Sequence, residues 1–263
     1  MREKRRQLRE NLEATLRTFA AVRGSGEVWE EEGLMCVYSG LPGAVFNTVM
    51  LTEEVREERE LAVKLEYVEA MYRARRARWS LWLLEYLLAP GVGEKVGRAM
   101  ERYGGRKVSV GWGMHAAGIV KPRRKLPELE VVRVERPAQR YDFCQVMGMA
   151  FRTPLGTFLD VYHSESYWRE GLRGYVAYAG GMAVGTACVM GAAGVVGVYG
   201  VAVLPEMQRI GIGERVVRYA IGEGQRETGY EECVLEASEM AEGLYRRLGF
   251  EAVTGVSVYN AGG

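Results

Sequence analysis

Along the second half of the chain the hydrophobic positions switch between a period of two and a period near 3.6, and that switching predicts the elements. From Leu129 the run Glu-Val-Val-Arg-Val-Glu alternates like a strand. Tyr141, Cys144, Val146, Met147 and Ala150 give Ala138 to Phe151 helical spacing, and a polar, aromatic-rich stretch from Thr153 to Trp168 reads as a loop. Tyr175–Tyr178 and Met182–Met190 flank Ala179-Gly180-Gly181, a hairpin signal, because tight primed turns need positive φ at both central positions. Val195 to Val203 is a β-branched strand, followed by a turn at Pro205 and the glycine-spaced Gln208-Arg209-Ile210-Gly211-Ile212-Gly213. A helix follows with Ile212, Val216, Val217, Ala220 and Ile221 on one face and Glu214, Arg215 and Arg218 on the other, stopping between Gly222 and Gly229. Cys233–Ala237 reads as a strand, and Ser238 with Glu239 starts a helix whose inner face is Ala237, Met240, Ala241, Leu244, Tyr245 and Leu248, closed by Gly249.

The first half carries a fainter copy of the same order. Leu34–Ser39 and Val45–Leu51 pair around Gly40-Leu-Pro-Gly43, and Glu53–Arg78 is a long helix with Leu61, Leu65, Val68 and Tyr72 inward. Trp79–Leu84 is a strand; after Pro90-Gly91 come a short helix, Gly104-Gly105 and a strand from Lys107 to Trp112. That strand-helix-glycine-strand ending parallels Cys233 to Val258. No Gln/Arg-x-x-Gly-x-Gly occurs before Glu53. The segment Lys121-Pro-Arg-Arg-Lys-Leu-Pro127 reads as a linker between residues 1–124 and 128–263.

Composition narrows the function classes. With 263 residues and 48% hydrophobic content, the chain can build two cores. Its 35 basic and 34 acidic residues nearly cancel, so neither nucleic acid nor an anionic membrane is an expected partner. Cys36, Cys144, Cys188 and Cys233 are far apart, without Cys-x-x-Cys or a neighbouring His, so neither a metal site nor a disulfide framework is expected. Met1–Glu10 is charged, and no apolar run approaches the ~18 residues of a membrane span, which makes a reducing cytoplasm the expected compartment.

The chemistry starts at Gln208–Gly213. Glycines there let several N–H groups converge at a helix N-terminus, where the helix dipole favours negative charge, so the loop is built for phosphate. Position 216 is Val, which removes the third glycine of a dinucleotide fingerprint, and the Lys-Ser/Thr pair of a nucleoside triphosphate loop is missing. Strand, Gln/Arg-x-x-Gly-x-Gly and helix together resemble the acyl-coenzyme A pyrophosphate loop of the GNAT acetyltransferase superfamily. The downstream block Leu235-Glu-Ala-Ser-Glu-Met-Ala-Glu-Gly-Leu-Tyr-Arg-Arg-Leu-Gly-Phe250 is similar to the GNAT segment ending Leu-Tyr-x-x-Leu-Gly-Phe.

The resemblance covers about residues 129–263 and implies an α/β (α+β) fold, a mixed, mostly antiparallel twisted sheet flanked by helices. Residues 1–124 resemble a degenerate GNAT-like domain without the cofactor loop, as in tandem members of the superfamily. The implied function is an acetyl-CoA-dependent N-acetyltransferase acting on a primary amine, small molecule or peptide, by direct attack in a ternary complex, without a metal. A homodimer is compatible with such a fold. By the resemblance, the N–H groups of Gln208, Arg209, Ile210, Gly211, Ile212, Gly213 and Glu214 cradle the pyrophosphate. Val201 and Val203 offer main-chain groups to the pantetheine, and Ser238 stands where relatives carry a cofactor-binding Asn; the alternative for Ser238 is a helix cap alone. Tyr245 stands where the family has a tyrosine that protonates the leaving thiolate. An ordinary phenol does so uphill by only about 2 kcal/mol. For the base the candidates are Glu236, Tyr199, Asp160, His163 and Glu165, or a water chain. Phe151, Phe158, Tyr162, Tyr167 and Trp168 beside Asp160, Glu165 and Glu170 point toward a cationic small acceptor. The alternative function is an acyl-CoA sensor without turnover.

Overall fold

The structure, a computed structural model, describes residues 1–169 and 171–262. Glu170 lies outside the described residues. The first half runs α1 (Arg2–Arg17), β1 (Glu27–Glu31), β2 (Leu34–Tyr38), β3 (Thr48–Leu51), α2 (Glu58–Ala74), β4 (Trp79–Leu84), α3 (Val96–Glu101) and β5 (Arg106–Ala116). The second runs β6 (Glu130–Arg133), α4 (Pro137–Phe151), α5 (Leu155–Tyr162), α6 (Glu165–Arg169), β7 (Leu172–Ala179), β8 (Met182–Ala192) and β9 (Val195–Val203), then α7 (Ile212–Thr228), β10 (Cys233–Ser238), α8 (Glu239–Leu248) and β11 (Glu251–Ala261). The strands form one eleven-stranded mixed sheet in the order β1-β2-β3-β4-β11-β5-β10-β9-β8-β7-β6.

The halves repeat one pattern. β1, β2 and β3 form an antiparallel meander, and β4 returns parallel to β3 after α2. β7, β8 and β9 do the same, with β10 parallel to β9 after α7. Each half then adds a helix and a last strand, and the two last strands cross over. β11 pairs with β4 of the first half, and β5 lies between β11 and β10. A boundary at 124–128 therefore separates the halves along the chain but not in the sheet. Main-chain groups in a buried strand must be paired, and here each half completes its ladder with the other's last strand.

Glycines punctuate the elements where the sequence places them. Gly180 and Gly181 turn the β7–β8 hairpin with φ of 55° and 82°, both positive, as a primed turn requires. Gly249 closes α8 at φ 104°. α7 runs past Gly222 and ends at Gly229, φ 73°, whose N–H bonds Gln225 O at 2.8 Å.

Other segments differ from the sequence reading. Val45–Leu51 is a strand only from Thr48, because Ala44–Phe46 coils into a short 3₁₀ turn. In α4, Tyr141 is exposed and Phe143 takes the core position. Thr153–Trp168 is not a loop: α5 and α6 form there because its aromatic rings have a core to enter. Phe158, Tyr162 and Tyr167 are buried, and Phe19 and Phe46 of the first half join them, with Phe19 stacked 5.8 Å from Tyr167 and Phe46 edge-on 6.0 Å from Tyr162.

The charged start of the chain is a helix with an inner stripe. Leu8, Leu12 and Leu16 recur at i, i+4, and Asn11 and Thr15 are buried beside them. α1 packs against β8, β9 and β10 of the other half. Asn11 Nδ2 donates to the carbonyls of Met190 (3.0 Å), Ala192 (3.0 Å) and Val195 (3.2 Å), and Asn11 Oδ1 accepts the Tyr199 hydroxyl at 2.7 Å. Gly197 makes room, since a β-carbon there would lie 1.8 Å from Asn11 Oδ1.

Asn11→Ala removes four buried or part-buried hydrogen bonds and leaves the Tyr199 hydroxyl without its acceptor, while the three carbonyls keep their ladder partners; the change costs about 2–4 kcal/mol of unfolding free energy. Urea denaturation reads this directly, and a loss under about 1 kcal/mol contradicts it.

Candidate active site

The site forms where β9 and β10 part. Their parallel pairing comprises Cys233 with Val196, Val234 with Gly197 and Leu235 with Val198, and then ends. Beyond that point β10 stays with β5 as far as Ser238 opposite Gly111, whereas β9 stays with β8 as far as Val203 opposite Gly185. A bulge assists the parting. Cys188 opposes Tyr199 and Thr186 opposes Ala202, so Gly200 and Val201 face the single residue Ala187, with Gly200 at φ 55° and its carbonyl bonded by Thr186 Oγ1 at 2.9 Å. From Tyr199 to Val203 the main chain of β9 has no strand partner on the β10 side. Val201 and Val203 are half-buried along this stretch. Val203 O is engaged, accepting from Gln208 Nε2 at 3.2 Å, so a ligand that pairs with this carbonyl displaces the Gln208 side chain.

The glycine-spaced loop lies at the C-terminal end of β9. The first main-chain hydrogen bond of α7 runs from Arg215 N to Gly211 O at 3.0 Å, and the N–H groups of Arg209 to Glu214 make none among the described residues. Arg209 has φ 67°, a left-handed conformation that costs a non-glycine residue free energy, and Gly211 has φ 100° at the helix N-cap. Gly213 packs beneath, where a β-carbon would meet Val203 at 3.4 Å and Leu244 at 3.6 Å. Gln208, Arg209 and Ile210 are exposed, and Ile212 is buried. Glu214 departs from the sequence reading: it is buried rather than on the polar face. A carboxylate is tolerated there because Arg218 donates to Glu214 Oε1 through Nε at 2.9 Å and Nη2 at 2.8 Å. With that carboxylate neutralised, the loop is a set of free donors and suits a doubly charged anion.

The corresponding turn of the first half is closed. After Leu51 the chain runs Thr-Glu-Glu-Val-Arg-Glu, and Glu60 accepts the N–H of Arg56 at 3.0 Å. Val55 bridges to Leu88, with Val55 N on Leu87 O (2.8 Å) and Ala89 N on Val55 O (3.0 Å), which seals the parting of β3 and β4. Glu57, Glu58 and Glu60 crowd that helix start with negative charge, which repels phosphate.

Three titratable groups gather where β9 and β10 part. Glu236 is half-buried, its Oε1 sealed from solvent without a hydrogen-bond partner, and burial pushes its carboxyl up to about 8. Tyr245 on α8 is buried, and its phenol is pushed above the ordinary range by burial and then by the charge of Glu236. Tyr199 is raised by the same two causes in the same order. Ser238 is exposed at the N-cap of α8, and its hydroxyl makes no cap hydrogen bond.

The sequence of residues 157–252 matches the family model described as the acetyltransferase (GNAT) domain. Residues 157–252 are a GNAT domain. Among solved structures, a GCN5-related N-acetyltransferase from Kribbella flavida is similar over 95% of this chain and 94% of its own, at 20% identity and TM-score 0.67. A functionally unknown conserved protein from Staphylococcus epidermidis matches over 92% of this chain and 96% of its own, at 17% identity and TM-score 0.64. A tandem GNAT protein from the clavulanic acid biosynthesis pathway matches over 87% and 78%, at 14% identity and TM-score 0.51. These likenesses show the fold. A comparison with curated proteins gives no match.

Most of the aromatic stretch is core: among its described residues only Trp168, with Glu165, lines a surface cavity, and Arg133, Arg140, Arg169 and Arg173 share that cavity's wall. The rings of the stretch pack against one another, and Asp160 and Glu165 pair at the surface with Arg23 at 3.4 Å and Arg169 at 2.6 Å. His163 is exposed at the end of α5. Asn11 carries no motif of its own in the sequence; the signal that points to it is the four-residue spacing of Leu8, Leu12 and Leu16 on the helix face it shares. Among the described residues no group of three or more His, Cys, Asp and Glu could hold a metal ion, and no helix is long and apolar enough to cross a membrane.

Because the carboxyl of Glu236 titrates near 8 in the fold and near 4.5 when unfolded, its neutral form favours folding. That contribution is complete below pH 4.5 and is lost as pH rises toward 8. Glu236→Gln therefore raises the thermal midpoint relative to the parent at pH 9 and leaves the difference near zero at pH 4; equal differences at both pH values contradict the assignment.

Proposed function

We propose that the protein transfers an acetyl group from acetyl-CoA to a primary amine by direct attack in a ternary complex. One observation carries the reading: an unpaired stretch of β9 main chain leads straight into a loop of unbonded N–H groups. The loop of Gln208 to Glu214 would hold the pyrophosphate, with Arg209 adding positive charge, and Ser238, at the N-cap of α8, offers a hydroxyl not used in capping. The main chain at Val201 and Val203 would receive the pantetheine arm and polarise the thioester carbonyl.

In the transfer the C–N bond forms as the C–S bond breaks. Glu236, as carboxylate, takes a proton from the attacking nitrogen, and Tyr245 gives one to the leaving sulfur. Their pKa values are coupled in a useful direction. A charged Glu236 makes Tyr245 a weaker acid, and a Glu236 that has accepted the amine proton no longer does. The acceptor is a small-molecule or peptide amine.

Free-thiol release across a panel of amines, with acetyl-CoA as donor, tests the reaction. Tyr245→Phe should lower turnover by about 10–100-fold while coenzyme A still raises the thermal midpoint. The parent should show an activity limb near pH 8 that Glu236→Gln lacks. Gly211→Val, which forces a β-branched residue to φ 100°, should abolish the coenzyme A shift. Coenzyme A binding with no turnover on any amine would assign a sensor; no binding overturns both readings.

A further inference from the structure

The linker between the halves, left aside by the reading above, lies across the candidate cofactor loop. Val120 N donates to Leu248 O at 2.9 Å, and Arg218 Nη1 donates to Val120 O, so the linker is tied to α8 and α7. It then passes over the N-terminus of α7. A β-carbon at Gly211 would lie 3.2 Å from Pro127 Cδ, 3.4 Å from Arg124 Nη2 and 3.6 Å from Leu126 Cδ2. The Arg124 guanidinium therefore sits against the loop, placed by a segment more than eighty residues upstream in sequence.

Charge favours a ligand role over a structural one. Arg124 forms no ion pair among the described residues. Lys125 pairs with Glu128 at 3.3 Å, and Arg218 is held by Glu214. The carboxylate in the first turn of α7 is thus already neutralised, and Arg124 is left as excess positive charge beside unbonded N–H donors. A planar guanidinium suits bidentate contact with phosphate oxygens.

Resting on the reading that the loop binds coenzyme A, we propose that Arg124 completes that site from the linker, contacting the pyrophosphate. The linker thereby contributes a binding residue to a cofactor site whose loop belongs entirely to the second half.

Isothermal titration of the full chain with coenzyme A and with 3′-dephospho-coenzyme A tests this. Arg124→Ala should weaken both ligands by about tenfold, the weight of one hydrogen bond to a charged group, since both carry the pyrophosphate. The variant should also show a shallower dependence of affinity on salt, and Arg124→Lys should recover part of the loss. Arg124 is exposed, so an unchanged thermal midpoint without ligand accompanies these results. Equal affinity in parent and Arg124→Ala overturns the proposal while leaving the cofactor reading intact. A loss confined to coenzyme A overturns the pyrophosphate contact, because the charge would then read the 3′-phosphate. Failure of the parent to bind either ligand removes the cofactor reading itself.

Discussion

Main-chain groups inside a sheet must find partners, and in this protein they find them across the halves. β5 is the last strand of the first half, yet its neighbours are β10 and β11; β11 is the last strand of the second half, yet it separates β4 from β5. Neither half can close its ladder alone, so the sheet folds as a unit. The reciprocal insertion also fixes β10 from one side with a strand of the other half. β9 can then leave β10 on its free side without the sheet coming apart.

That divergence separates the two copies of the shared pattern. In both, a parallel pair of strands starts to part after three residue pairs. In the first half the gap is closed again further along by Val55 and Leu88, and the helix that follows begins with Glu57, Glu58 and Glu60. In the second half a bulge at Gly200 and Val201 turns the strand away, and the helix begins with free N–H groups. The same topology is thus sealed with hydrocarbon and carboxylates in one copy and left open with unpaired donors in the other.

Much of this was legible in the chain. The apolar runs and the 3.6-residue period located β7 to β10, α7 and α8, because the strands are largely buried, the helices have one buried face, and glycines stand at turns and helix ends that need positive φ. The loop at Gln208 to Gly213 was legible for the same reason. Other features depended on contacts distant in sequence. α1 was hidden because its exposed face is densely charged, and only its packing on β8 and β9 shows what Leu8, Asn11 and Leu12 are for. The aromatic stretch from Phe158 to Trp168 read as a ligand surface because sequence cannot show that Phe19 and Phe46 arrive to cover it. The burial of Glu214 depends on Arg218 one turn later, which periodicity alone places on a solvated face. The strand crossover was invisible, since each strand's own pattern is indifferent to which neighbour it meets.

The bond between Asn11 and Tyr199 has a directional consequence. The amide nitrogen of Asn11 is committed as donor to carbonyls, so its oxygen can only accept. The Tyr199 hydroxyl must therefore spend its single proton on Asn11, and toward the parting of the strands the phenol has lone pairs alone to offer. Helix α1 in this way sets a polarity: of the two tyrosines that feel the charge of Glu236, Tyr245 keeps a proton to give, and Tyr199 can only receive.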